Sequence, residues 1–341
     1  MPFLKNLSVY TTLILLFIAP GTNVNAQPRT TIQPRIRVII DNDFSGDPDG
    51  LFALVHLLLS PSIEVRAIIG SHLKENDGFD NSKTQADNAV KKAGSILKMI
   101  RAGKSIPVLA GSNTAMQNDS SPVKSEAVNF IIREALRTDT KQPLYILCGG
   151  GLTEIASALL TNPAIEDRAT LIWIGGAEFT GLADPPPGYS NPEYNTNIDI
   201  HATRAVFNRT QINIWQIPRN AYRQALLPYS ELLTKVKPMG PVGAFLASEI
   251  ETLMSKLTNY KLNIGETYIL GDSPLVLLTA LQSSFEPDPS SSVYVVRQAP
   301  IIDDRGAYLT NHAGRNIRVY HQLDIQMMLN DFFSKLQILA R

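Results

Sequence analysis

Ile36-Arg37-Val38-Ile39-Ile40-Asp41-Asn42-Asp43-Phe44-Ser45-Gly46-Asp47-Pro48-Asp49-Gly50 is the stretch from which the fold can be read. The β-branched run from Arg35 to Ile40 fits a buried strand, and a helical run from Leu51 to Leu59 follows the acidic loop. Working outward, strand-like segments recur at Val65 to Ile69, Val108 to Ala110, Leu144 to Leu147, Leu171 to Ile174 and Ile212 to Ile217. Amphipathic helical patterns at Asn88 to Ile100, Ser125 to Leu136 and Thr153 to Leu160 separate most of them. The C-terminal third is less regular, with helical runs at Gly243 to Leu257, Pro274 to Leu281 and Gln326 to Leu339, and strands near Val293 to Arg297 and Arg318 to Tyr320. The alternation predicts an α/β fold: a single domain with a mainly parallel central sheet flanked by helices, of the Rossmann-like open-sheet kind. No linker divides residues 27–341. The polar stretches Lys74 to Asn81 and Gly181 to Asn191 are expected to be long loops at strand ends, where binding sites concentrate.

Composition narrows the functional classes. The 341 residues hold 31 Lys+Arg against 31 Asp+Glu, so there is no electrostatic footprint for nucleic acid or an anionic membrane. Residues 1–26 have the pattern of a signal peptide: Lys5 in the n-region, an apolar core from Tyr10 to Ala19, and Val24-Asn25-Ala26 before the expected cut. The expectation is an exported protein, periplasmic or secreted, with no membrane association once the leader is removed. Cys148 is the single cysteine, which excludes an internal disulfide and leaves stability to a packed core. A homo-oligomer is compatible with the sequence.

The acidic loop carries the chemistry. Asp41, Asp43, Asp47 and Asp49 fall within ten residues, and like charges so close raise one another's pKa unless a cation sits among them. Oxygen donors with no His or Cys nearby suit a hard cation such as Ca²⁺ or Mg²⁺. Asp47 also fits an N-cap before Pro48, and Asp49 fits the favourable first helical turn. That capping role does not account for Asp41 and Asp43, which end the strand. Elsewhere, His72 follows a strand and is either a proton donor at the site or a packing residue. Tyr189, Tyr194, Tyr260 and Tyr268 fall in or near loops suited to cover a base, and Cys148 reads as a small core residue.

From these residues a family resemblance emerges. The strand, acidic loop and helix start, Val38 to Asp49, resemble the signature of the inosine/uridine-preferring nucleoside hydrolases. Further similar motifs follow in order: Asn88-Ala89, Pro107-Val108-Leu109-Ala110-Gly111, Gly149-Gly150-Gly151-Leu152-Thr153, Ile174-Gly175-Gly176-Ala177, and Glu193-Tyr194-Asn195 with Asp199. The resemblance implies a Ca²⁺-dependent enzyme that hydrolyses the N-glycosidic bond of ribonucleosides or related ribosides. It places Asp43 as the general base and metal ligand, with Asp41, Gly149 through its carbonyl, and Asp272 in the metal set. Glu193 and Asn195 match ribose-binding residues, and their spacing would turn both the same way if the segment were extended.

The departures from the pattern matter too. The adjacent acid pair becomes Asp49-Gly50, so Asp47 or Asp49 is expected to supply the missing metal carboxylate. Lys74 stands in register with a family Asn, and Asn76, two residues later, is the expected substrate-binding substitute. A His that protonates purine leaving groups in some members is Gly271 here. Two competing readings remain at this level: a haloacid-dehalogenase-like phosphatase using Asp41-x-Asp43, and a catalytically silent nucleoside- or sugar-binding protein of the same fold.

Overall fold

The computed structural model describes residues 32–101, 105–189, 192–259, 261–283 and 291–341; the expected leader and Tyr260 lie outside them. The first half of the chain alternates β1 (Ile36–Asn42), α1 (Asp49–Leu58), β2 (Ile63–Gly70), α2 (Gln85–Met99), β3 (Val108–Ala110), α3 (Glu126–Ala135), β4 (Leu144–Cys148), α4 (Thr153–Thr161) and β5 (Ala169–Ile174). There follow α5 (Tyr194–Ile198), α6 (Ile200–Arg209), β6 (Asn213–Ile217), α7 (Arg219–Tyr222), β7 (Leu226–Pro228), α8 (Tyr229–Glu231), α9 (Gly240–Asn259), β8 (Thr267–Ile269) and α10 (Pro274–Leu277). The chain ends with β9 (Val293–Gln298), β10 (Ile301–Ile302), β11 (Tyr308–Leu309), β12 (Asn316–Gln322) and α11 (Ile325–Leu339).

The main sheet has eight strands in the order β3-β2-β1-β4-β5-β6-β12-β9. Every neighbouring pair is parallel except β12 with β9, which is antiparallel at one edge. Strands buried on both faces explain the near-continuous apolar runs, because parallel sheets carry helices on each side. Alternate residues of β1 go to opposite cores: Val38 and Ile40 pack with α1, α2, α9 and α11, while Ile39 packs with α3, α4 and α6. Each fully buried Leu, Ile or Phe side chain contributes about 1.5–3 kcal/mol. Two such layers hold the domain without cross-links, and Cys148 is a free, buried thiol in the second.

The helix before β6 escaped the periodicity reading. Residues 193–209 look polar, yet Glu193 caps α5 by accepting from Thr196 N, and Asp199 caps α6 by accepting from Ala202 N. The segment is therefore helical, not extended as the spacing argument for Glu193 and Asn195 supposed. Among the described residues no helix is long and apolar enough to cross a membrane.

Candidate active site

Strand order reverses at β1, which has β2 on one side and β4 on the other, and such a switch point opens a crevice beyond the carboxyl ends of the strands. Asp41 and Asn42 end β1, Asp43 follows, and Gly149 leaves β4 with its N–H donated to the Asp41 carbonyl at 3.0 Å. A cavity of about 230 Å³ lies here. Asp43, Asp47, Asp49 and Asp272 line it together with Gly149, Glu193 and Asn195. Leu73, Phe79, Ile174, Tyr189, Tyr194, Tyr222, Ile269 and Gly271 complete the lining, and no described Lys, Arg or His takes part. Phe79, Tyr189 and Tyr194 stay 39%, 58% and 44% exposed, an aromatic rim around an acidic floor.

The four acids are held by neighbours of different kinds. Tyr268 donates its hydroxyl to Asp47 Oδ2 at 2.8 Å, so Asp47 is anchored by β8 and makes no cap to α1, whose flanking residue is Pro48. Asp49 sits in the first turn of α1, and its Oδ2 accepts the Asp272 backbone N–H at 3.1 Å. Asn42 Nδ2 donates to Asp272 Oδ2 at 2.8 Å. Burial pushes Asp43 well above the usual carboxylate range, and the charges of Asp272, Asp47 and Asp77 push it further. Asp49 is raised by burial and then by Asp272 and Asp47. Asp272 is pushed up to about 8, chiefly by burial, despite the Asn42 hydrogen bond that favours its ionised form.

Such a cluster suits a hard cation by chemistry: every donor is oxygen, the carboxylates are buried or half-buried, and no Lys, Arg or His lines the cavity. Among the described residues no group of three or more His, Cys, Asp or Glu side chains is already arranged to hold a metal ion.

Glu193 and Asn195 both reach the cavity, by a different route from the one spacing suggested. Glu193 Oε2 accepts from Gly176 N at 2.8 Å and Thr196 N at 3.1 Å, which turns the cap residue's side chain back under α5. Its Oε1 accepts the Tyr222 hydroxyl at 2.8 Å. Asn195 Nδ2 donates to the Ile174 carbonyl at 2.8 Å, which leaves Oδ1 as an acceptor for a ligand hydroxyl. Tyr222 went unnoticed in the sequence because α7 is a four-residue helix with no periodicity to mark a face. The same helix carries Arg219, which pairs with Glu178 at 2.5 Å and stacks over Tyr189 at 4.8 Å.

Three sequence candidates lie elsewhere. Asp41 does not line the cavity; it is 1% exposed, with the Ser71 hydroxyl as its polar neighbour. Burial, followed by the charge of Glu154, pushes it well above the usual range. Asn76 is on an exposed turn with φ 58°, and its loop sends Leu73 and Phe79 to the cavity instead. An apolar side chain is the cheaper one to place in a half-dry wall, which sequence register does not reveal. His72 faces the core, Nδ1 against the Leu73 carbonyl at 2.8 Å and Nε2 against Thr153 Oγ1 at 2.9 Å, so it is not in the site. Trp173 is likewise structural, donating Nε1–H to the Gly150 carbonyl at 3.0 Å.

The raised carboxyls set a pH dependence. Asp43, Asp49 and Asp272 bind protons more tightly in the folded protein than in the unfolded chain, so their contribution is present at low pH and lost as pH rises through the folded values. Without divalent cation, thermal stability should fall between about pH 5 and pH 9, bracketing the value near 8 for Asp272. Millimolar Ca²⁺ should flatten that slope, because a bound cation takes the place of the protons. Scanning fluorimetry in chelator across this range, showing a melting temperature that rises with pH, would refute the assignment.

Comparison with known proteins identifies the family. The sequence profile described as inosine-uridine preferring nucleoside hydrolase matches residues 38–330. A Leishmania major protein named inosine-uridine preferring nucleoside hydrolase is 28% identical over 206 residues, which is 56% of this chain and 62% of that protein's length. The chain thus spans under two thirds of that relative. Among solved structures, the purine-preferring ribonucleoside hydrolase of Gardnerella vaginalis superposes with TM-score 0.70 at 22% identity, covering 89% of this chain and 99% of that one. The inosine-uridine preferring nucleoside hydrolase of Bacillus anthracis does so with TM-score 0.63 at 19% identity, covering 89% and 99%. These two share the fold, while the profile match over most of the chain establishes kinship: the protein belongs to the inosine-uridine preferring nucleoside hydrolase family.

Proposed function

We propose that this protein is a Ca²⁺-dependent hydrolase of the N-glycosidic bond in ribonucleosides or related ribosides. The observation that carries the reading is one cavity lined by four carboxylates, those of Asp43 and Asp272 buried and those of Asp47 and Asp49 half-buried, with Asn195 and Glu193 beside them and no Lys, Arg or His in the lining. Asp43, Asp47, Asp49, Asp272 and the Gly149 carbonyl would hold the metal, which when bound supplies a Lewis acid for the ribose diol and a water of lowered pKa. Asp43 accepts the proton of the attacking water as its oxygen closes on the anomeric carbon. Asn195 Oδ1 accepts from a ribose hydroxyl, and Glu193 offers Oε1 beside the Tyr222 hydroxyl. Bond cleavage leaves positive charge on the ribose ring, as in other glycosyl hydrolysis, and the surrounding carboxylates favour that charge.

The phosphatase reading is less well supported, because the chain belongs to the nucleoside hydrolase family and its cavity sets Asn195 and Glu193 beside the acids. Ribose release from a nucleoside panel, with and without chelator, tests the proposal. Chelator-sensitive release is expected, and no release from any riboside in millimolar Ca²⁺ would leave the silent-binder reading in its place. In the same buffer a ribosyl ligand should raise the melting temperature, by mass action on the native state. Asn195→Ala should weaken that protection while leaving the ligand-free melting temperature near that of the parent. Equal protection by 2′,3′-dideoxyribosides would contradict recognition through the diol.

A further inference from the structure

We propose that positions 42 and 50 share one steric slot under the cavity floor, and that Asn42 fills it in place of a side chain at position 50, acting as a positioning residue for Asp272. The inference rests on the metal-dependent reading above for its affinity measurement, though not for its steric one.

Geometry makes the slot exclusive. A Cβ placed on Gly50 would stand 2.6 Å from Asn42 Oδ1 and 3.0 Å from its Nδ2, closer than packed atoms allow. On the other side, a Cβ on Gly149 would run into Asn42 Nδ2. The carboxamide is therefore held between two glycine backbones, and Asn42 is only 1% exposed. It cannot swing aside without giving up the 2.8 Å bond from Nδ2 to Asp272 Oδ2. Conversely, an acid at position 50, next to Asp49 at the start of α1, has room only if residue 42 is small.

The amide is not there for packing alone. Asn42 Oδ1 is buried without a hydrogen-bond partner, a costly state for an acceptor. A hydrocarbon of similar size would fill the space at less cost, so the retained group points to the work of Nδ2. That donor fixes one oxygen of Asp272, a residue that lines the cavity. It also keeps the floor one negative charge lower than a fifth acid would make it, which matters where four carboxylates already repel. Asn42, the unassigned residue between two acids, thus accounts for the missing acid at Gly50.

The test uses the full chain and four variants: Asn42→Ala, Asn42→Leu, Gly50→Asp and the double Asn42→Ala/Gly50→Asp. Calcium affinity is read by calorimetry, and melting temperature in chelator is read beside it. Asn42→Leu fills the slot without a donor and should weaken Ca²⁺ binding about 10–100-fold, the usual range when a group supporting a ligand is lost. Asn42→Ala should do the same. Gly50→Asp alone overfills the slot and should lower the chelated melting temperature, whereas the double variant should recover it and bind Ca²⁺ more tightly than Asn42→Ala. Parent-like affinity in Asn42→Leu would overturn the positioning role. Gly50→Asp as stable as the parent, or a double variant less stable than Gly50→Asp, would overturn the shared slot. If the parent itself binds no Ca²⁺ at millimolar concentration, the metal reading and with it the role toward a metal-binding Asp272 fail, while the melting temperatures still decide the slot.

Discussion

Replacing Asp43 by Asn is expected to lower riboside hydrolysis about 10²–10⁴-fold, the range for loss of a positioned proton acceptor. Asp43 is in the turn after β1, where its carbonyl accepts Gly46 N–H at 2.7 Å, so backbone geometry fixes the side chain at the cavity. Asn preserves volume and one oxygen but cannot take a proton. Burial and the neighbouring carboxylates push Asp43 upward, and a bound cation would offset that push and leave its carboxylate ionised to accept a proton. Steady-state rates and calcium titration on the same sample separate the roles. Lost turnover with calcium still bound identifies the base, and turnover within a few-fold of the parent removes Asp43 from the mechanism.

The second large effect concerns the leaving group. A riboside with an activated leaving group, such as p-nitrophenyl riboside, should be hydrolysed about 10²–10⁴ times faster than inosine, because no side chain at position 271 can protonate a base. Position 271 is also crowded: a Cβ there would lie 3.0 Å from Asp49 Oδ2 and 3.4 Å from the Tyr222 ring, so a side chain would have to displace one of them by a few tenths of an ångström. Asp49 and Tyr222 close that corner, and the Tyr222 hydroxyl is already given to Glu193. His72, the replacement suggested by sequence, is 2% exposed with both ring nitrogens engaged in the core. His72→Ala should therefore leave the ratio of the two rates unchanged. Inosine turning over as fast as the activated riboside would mean that an efficient acid operates in the cavity after all.

What the sequence disclosed, and what it hid, follows from how far each signal reaches. The order of strands and helices was legible because two-sided burial writes itself as continuous apolar runs. β1, β2, β4 and β5 extend only a residue or two beyond the segments read from them. The acids of the first loop were legible because four carboxylates in one short stretch need a reason. Asn76 was misplaced since register along a loop says nothing about which way its residues turn. Tyr222 and Asn42 stayed silent for a related reason: their roles come from contacts with Glu193 and Asp272, 29 and 230 residues away, which no local pattern encodes.

That last separation has a temporal side. The acidic loop leaves the ribosome far ahead of its closing partners: Tyr268 reaches Asp47 across 221 residues, and the Asp272 backbone reaches Asp49 across 223. Until that segment docks, there is no floor, only a cluster of repelling charges at the end of a strand. Pairings so distant form late, because loop closure must precede the contacts that reward it. A nascent or truncated chain ending before residue 272 should have no capacity to bind calcium, whatever part of the sheet it has formed. In refolding, sheet signals should recover before calcium binding does, and simultaneous recovery would show that the acidic loop is ordered without its distant half.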